Sequence, residues 1–225
     1  MKSNLMWMPL GRGILGVTLM LLLLGLLGAG CQLSKPYPAK RLYQFVVKRS
    51  GAKDEAVGEV LRVRPVQVAP AYGGKGLVTR LGASEFVSDY YSEWLTSPGE
   101  RLTTLLSDWM RQSGRFRAVT GSGSALVATR VLECFVDELY VDLRDQGTPR
   151  TVLSLHARVI DDSGALPESM GTIICREVEP VEGASAAALV AGWNRSLARA
   201  LAQLEGGLVA LELGREGRRE TERTP

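Results

Sequence analysis

The stretch Thr151–Ile160, TVLSLHARVI, decides how this chain folds. Leu153, Leu155, Ala157 and Val159 fall on one side of an extended backbone, and Ser154, His156 and Arg158 on the other. This is the period-two pattern of a strand with one buried and one solvated face. Arg144–Pro149 and Asp161-Asp162-Ser163-Gly164 supply turns on either side. A long strand is predicted before the first turn, from Ala125 to Asp142, and another after the second, from Gly171 to Val178. Three strands joined by short turns form an antiparallel meander.

Two one-faced helices accompany it. In the first, Ser97 and Glu100 have the spacing of a capping box, and Pro98 stands where its missing N–H costs nothing. Leu102, Leu105, Leu106, Trp109 and Met110 then recur at helical spacing, and Gly114 is placed to end the helix. The second runs from Ser185 to Glu205. Ala186, Leu189, Val190, Trp193, Leu197, Ala200, Leu201 and Leu204 line its apolar face, and Gly206-Gly207 are expected to stop it. Nearer the start, Leu42–Lys48 and Val60–Val68 read as strands, with Pro65 forcing an edge or bulge in the second. Leu77–Leu81 is strand-like, and an aromatic segment, Phe86, Tyr90, Tyr91 and Trp94, follows it. The predicted class is α+β, a mainly antiparallel sheet with two amphipathic helices on one face.

The N-terminus is a different kind of segment. Lys2 and Arg12 precede an apolar run, Ile14–Leu27, and then Gly28, Ala29 and Gly30 stand before Cys31. A basic start, a short apolar run and small residues before a break describe a secretory signal. A cysteine directly behind it makes it a lipoprotein signal, cut before Cys31, whose thiol carries diacylglycerol. The run is shorter than the about 20 residues that span a bilayer. The expected organisation is a signal over 1–30, a membrane tether over 31–41, a domain over 42–207 and a charged, disordered tail over 208–225.

Without Lys2 and Arg12 the mature part is near neutral with both signs interspersed, which leaves no electrostatic footprint for nucleic acid. Gly73-Gly74-Lys75-Gly76 lacks the spacing of a phosphate loop and reads as a turn. His156 is the one histidine, no GxSxG serine is present, and neither Asp161-Asp162 nor Asp137-Glu138 is placed as an acid/base pair. No metal site, no cofactor and no enzyme activity are predicted. In the meander, hairpin pairing sets Leu139 opposite His156, and His156 opposite Cys175. Cys134 then lies roughly 19 Å from Cys175, beyond the reach of a disulfide.

Order and spacing add a resemblance. Leu42-Tyr43-Gln44 stands close behind the lipid cysteine, and a strand ends near Val66–Val68. Leu77-Val78-Thr79-Arg80 is followed by Tyr90-Tyr91, Trp94 and Pro98 ahead of a leucine-rich helix. SGRFRAV at Ser113–Val119 and Glu133-Cys134-Phe135 continue the series. Over Cys31 to about Gly207 the chain resembles the ABC-type transport auxiliary lipoprotein family. The resemblance implies a compact α/β sandwich without catalytic residues. It also implies a periplasm-facing lipoprotein that works with an ABC permease and ATPase and a mammalian-cell-entry-domain protein in moving phospholipids or related molecules between membranes. Docking of the conduit at the outer membrane is the implied role. Gln32, where inner-membrane lipoproteins commonly carry aspartate, favours the outer membrane. A homo-oligomeric collar fits such a role. Other envelope adaptors, a peptidoglycan-synthesis activator or an outer-membrane assembly factor, share this architecture and stay open, as does a carrier that encloses a lipid. Phe86, Tyr90, Tyr91 and Trp94 are candidates either for partner contact or for packing under the first helix.

Overall fold

The computed structural model describes residues 37–145 and 148–223. The signal, Cys31, the first part of the tether and the Gln146-Gly147 turn lie outside the described residues. Lys40–Pro225 form one unit with its own core. Its elements in order are β1 (Arg41–Tyr43), β2 (Val57–Val63), β3 (Gln67–Val68), β4 (Gly76–Arg80), β5 (Phe86–Trp94), α1 (Pro98–Ser113), β6 (Phe116–Thr120), β7 (Arg130–Asp142), β8 (Arg150–Asp161), β9 (Glu168–Pro180) and α2 (Ala186–Arg223).

The predicted meander is β7–β8–β9, two long antiparallel ladders. The alternation within it holds from His156 onward, whereas Ser154, expected on the solvated face, is buried. Leu153, Leu155, Ala157 and Val159 are all buried, while Arg158 on the other face is exposed. The register differs from the expected one. Leu139 pairs with Leu153, because the ladder closes at Asp142 and Arg150, and a bulge at Asp137 then shifts it by one more residue so that Phe135 meets His156. His156 pairs with Ile174, and Cys175 with Leu155. A one-residue slip exchanges the faces of a whole strand. The observed register buries Cys175 and leaves Ile174 74% exposed. Cys134 and Cys175 are both buried and both free. Cys134 stands opposite Ala157 and Ala157 opposite Ile173, so Cys175 lies two residues along rather than five, and roughly 12 Å away rather than the expected ~19 Å.

The remaining strands attach to β7 through parallel pairings that the sequence pattern does not display. β2, β3 and β4 meet β7 in succession at Arg130–Leu132, Phe135–Val136 and Val141–Asp142. β6 lies outside β2, and β5 and then β1 lie outside β4. The sheet is therefore mixed, with its longest ladders antiparallel. β1 is shorter than the predicted Leu42–Lys48. After Tyr43 the chain is held by side chains, with Arg101 Nε donating to the Phe45 carbonyl at 2.9 Å and the Val46 N–H donating to Asn194 Oδ1 at 3.1 Å. The predicted Val60–Val68 strand breaks at Pro65, where the Val66 N–H donates to Thr103 Oγ1 of α1 at 2.8 Å. The long strand before the first turn begins at Arg130, five residues later than predicted from Ala125.

Both helices cover the same face and share one core with β7 and β8. α1 matches its prediction. The Ser97 hydroxyl accepts from the Glu100 N–H, Pro98 opens the helix, and Gly114 closes it at φ 74°, where a side chain would be strained. Between helices and sheet, Leu102, Leu197 and Leu204 line a cavity of about 10 Å³. That is room for one water at most, and too little to enclose a lipid chain.

α2 departs from expectation. Gly206-Gly207 do not stop it, and it continues to Arg223, so the residues set aside as a disordered tail are helical as far as they are described. The reason is packing. A Cβ on Gly207 would come within 2.9 Å of the Ile173 side chain, so glycine is what lets the helix lie this close to β9. Leu208 is then fully buried, and Glu212 accepts from Arg115 Nε at 2.9 Å in a pair that is nearly all buried. Two turns earlier Glu205 accepts from Arg49 and, at 2.7 Å, from Trp109 Nε1. Burial opposes the Glu205 charge, but these donors outweigh it and hold its carboxyl below the ordinary value. Glu205 thus stabilises the fold above pH 4.5, and the contribution is lost as the pH falls through its lowered value.

Removing one partner of a buried ion pair leaves the other charge stranded. Glu212→Ala is expected to destabilise the domain by about 3 kcal/mol, read as a lower urea midpoint at unchanged slope. Arg115→Met combined with Glu212→Leu is expected to recover most of that loss. An unchanged midpoint in Glu212→Ala would mean that α2 is not held down beyond its glycine pair.

Candidate docking surface

β1 runs parallel to β5, β5 antiparallel to β4, and β4 parallel to β7. The chain therefore reaches Lys40 and Arg41 from the side on which β7 ends. Residues 121–129 and the β8–β9 turn lie at the other end of β7, where the Asp162 N–H donates to the Thr129 carbonyl at 3.0 Å. Position relative to β7 divides the aromatic segment of β5 into three environments.

Trp94 is only 3% exposed. Its ring stacks on Phe45 at 4.4 Å and lies 5.4 Å from Trp193. It is a core residue, packed on Phe45 and on Trp193 of the second helix. Phe86, at the opposite end of β5, is 43% exposed. Its inner edge meets Tyr140 at 5.7 Å and Tyr72 at 6.5 Å, and the Arg80 guanidinium lies 5.4 Å from its centroid. Arg80 is itself tied to the Gly82 and Ala83 carbonyls, so the cation is fixed over the rings. Burial pushes the Tyr72 phenol above its ordinary value. Val87 beside it is 45% exposed.

Tyr90 and Tyr91 form the third environment. Asp89 Oδ1 accepts from the Tyr91 N–H at 2.8 Å and from the Ser92 N–H at 3.2 Å, bending the strand where the β4–β5 register shifts. Tyr90 is 64% exposed, and its ring meets Tyr91 edge-on at 5.2 Å. Lys40 Nζ stands 4.0 Å from the Tyr90 centroid and 2.7 Å from Glu93. The Glu93 hydrogen bond raises the Lys40 pKa, so the ammonium stays charged. Sequence reading gathers the four aromatics but misses Tyr72, Tyr140 and Lys40. They are distant in the chain, and only the β1–β5 and β4–β7 pairings bring them here.

Elsewhere the polar sheet face carries ion pairs rather than a reactive group. His156 Nδ1 and Asp137 Oδ2 are 2.8 Å apart, with the imidazole stacked on Phe135. Arg176 pairs with Glu138, and Arg64 and Arg158 with Glu133. Among the described residues no group of three or more His, Cys, Asp or Glu is placed to hold a metal ion. Burial pushes the Cys134 thiol up to about 12 and the Cys175 thiol upward as well. A thiol so placed is a poor nucleophile at neutral pH.

A family model described as the ABC-type transport auxiliary lipoprotein component matches residues 43–205. No curated protein matches the chain. Among solved structures, a protein from Xanthomonas campestris is similar over 80% of this chain and 99% of its own, at 18% identity and a TM-score of 0.67. An uncharacterized protein is similar over 76% of this chain and 99% of its own, at 14% identity and a TM-score of 0.57. Identities this low establish a shared fold.

The thiols give a direct check on the buried core. In the folded protein at pH 8, Cys134 and Cys175 are expected to stay unlabelled by a thiol reagent over the time in which denatured protein reacts fully. Rapid labelling of either by mass spectrometry would contradict their placement.

Proposed function

This chain belongs to the ABC-type transport auxiliary lipoprotein component family, and we propose that it is the lipid-anchored docking subunit of an ABC transport system of the cell envelope. Cys31 is the acylated first residue of the mature chain, and Gln32 directs it to the outer membrane, facing the periplasm. Its partners are the permease and ATPase of that system and a mammalian-cell-entry-domain protein that forms the conduit. The cargo is phospholipid or a related hydrophobic molecule. The role is non-enzymatic, as an auxiliary component implies; the buried thiols and the ion-paired sheet face fit it.

The observation that carries the reading is the exposed aromatic end of the β4–β5 hairpin, built on the side from which the tethered chain arrives. Phe86 offers apolar surface there over a rigid base of Tyr72, Tyr140 and Arg80, and Val87, next along the strand, exposes apolar surface on the other side of the same edge. An aromatic anchor backed by fixed neighbours is the usual centre of a protein interface. We assign these two residues to the conduit contact. The tether from Cys31 to Ala39 keeps them near membrane-bound partners and raises the effective concentration of the contact.

Two measurements test this. Mass spectrometry of the mature N-terminus is expected to show diacylglycerol on Cys31, and Cys31→Ser to release the protein from the membrane fraction. Tagged protein captured from its native envelope is expected to recover the mammalian-cell-entry-domain protein. Phe86→Ala should weaken that capture by about tenfold, the loss of one interface anchor. Capture of the transporter unchanged by Phe86→Ala and Val87→Ser would remove this surface from the contact; no capture at all would remove the docking role.

A further inference from the structure

Tyr90, Tyr91 and Leu42 remain exposed after Phe86 and Val87 are assigned to the partner. They form a patch of their own. Leu42 pairs with Glu93, and Lys40 bonds Glu93 and covers Tyr90, so Lys40, Leu42, Tyr90 and Glu93 share one face of the β1–β5 pair. Tyr91 extends that face through its edge-on contact with Tyr90.

Three observations say what covers it. The first is reach: Cys31 stands nine residues before Lys40, and nine residues span at most about 30 Å. The second is direction, since the chain arrives at Lys40 from the side on which Tyr90 and Tyr91 lie, ahead of Ser92. The third is chemistry. Tyrosine has an apolar body and a polar tip, and such rings concentrate at the level of lipid headgroups. A lysine stem beside them keeps its head in water while its methylenes lie on apolar surface. The charges at the patch, Lys40, Arg41, Asp89 and Glu93, sum to zero, which suits a phospholipid surface without requiring an anionic one.

We infer that Tyr90, Tyr91 and Leu42 seat the domain on the phospholipid membrane that holds its own anchor. The inference rests on acylation of Cys31. The acyl chains supply the affinity, and the tyrosines fix which side of the domain faces the lipid. The conduit contact at Phe86 is then held at a set orientation rather than swinging on a free tether.

The test uses the lipidated mature chain in phosphatidylethanolamine–phosphatidylglycerol vesicles that contain phosphatidylcholine brominated high in its acyl chains. Tyr90→Trp and, separately, Tyr91→Trp introduce a reporter with the same interfacial chemistry. Ile174→Trp is the control, on exposed β9 four strand positions from β5. The spectrum of the unsubstituted protein is subtracted to remove its buried tryptophans. Emission from Tyr90→Trp or Tyr91→Trp is expected to be quenched roughly twofold more than from Ile174→Trp, as for rings at headgroup depth, and to be insensitive to added salt. Equal quenching at all three positions, in protein that still sediments with the vesicles, overturns the seat and leaves the anchor intact. Quenching that vanishes in high salt overturns it too, since it would report charge attraction. Protein that fails to sediment overturns the anchor and the seat with it. Shielding of Tyr90 that needs the transporter present would mark a protein contact and also overturn it.

Discussion

β7 hydrogen-bonds on one edge to three short strands in turn, β2, β3 and β4, and on the other edge to β8 along almost its whole length. β3 is two residues long and bonds β7 only, and β4 pairs otherwise with the half-exposed β5. All three meet on one β7, whose inner side chains, Leu132, Val136, Leu139 and Val141, are at most 2% exposed. The bulge at Asp137 is what keeps Val136 and Leu139 both buried. Three residues separate them, an odd spacing that a regular strand would send to opposite faces. β7 thus both gathers the sheet and sets its two faces.

The helices are fastened by a second set of constraints. α2 lies over β8 and β9 through Leu197, Leu201 and Leu204, and polar pairs secure its margins. Glu177 takes Arg199 and Gln203, Glu179 takes Arg195 and Arg199, and Glu205 takes Arg49 and Trp109. Glu205 joins three parts of the chain, the segment after β1, α1 and α2. Pairs at the rim of a core set register more than they add stability. Here they fix where along β9 the helix sits, and so which residues pass over Gly207.

Much of this was legible in the chain itself, for identifiable reasons. The meander and both helices carry strong periodicity, and the α1 cap is spelled out by Ser97, Pro98 and Gly114. The parallel pairings were not legible. β2, β4 and β7 are joined by long connections, so no short-range turn signal records that they meet. The register is not legible because an alternation pattern marks neither where the turn between Asp142 and Arg150 closes nor the bulge at Asp137. The end of α2 was misread because Gly206-Gly207 has two meanings, a stop or a close approach, and only Ile173 beneath it decides. The aromatic segment has the same ambiguity. Trp94 and Tyr90 look alike in sequence, and it is Phe45 and Trp193 on one side, Lys40 on the other, that separate core from surface.

β7 also has a length. Its 13 residues set its two ends roughly 40 Å apart. The incoming chain, Tyr90 and Phe86 belong to one end, and the β8–β9 turn belongs to the other. Position along this one strand is therefore a scale of distance from Lys40, where the chain enters the domain. Leu126, Val127 and Leu166, all more than half exposed, stand at the far mark. The domain is in this sense a spacer: the loops at its two ends are held at a separation fixed by the backbone of one strand.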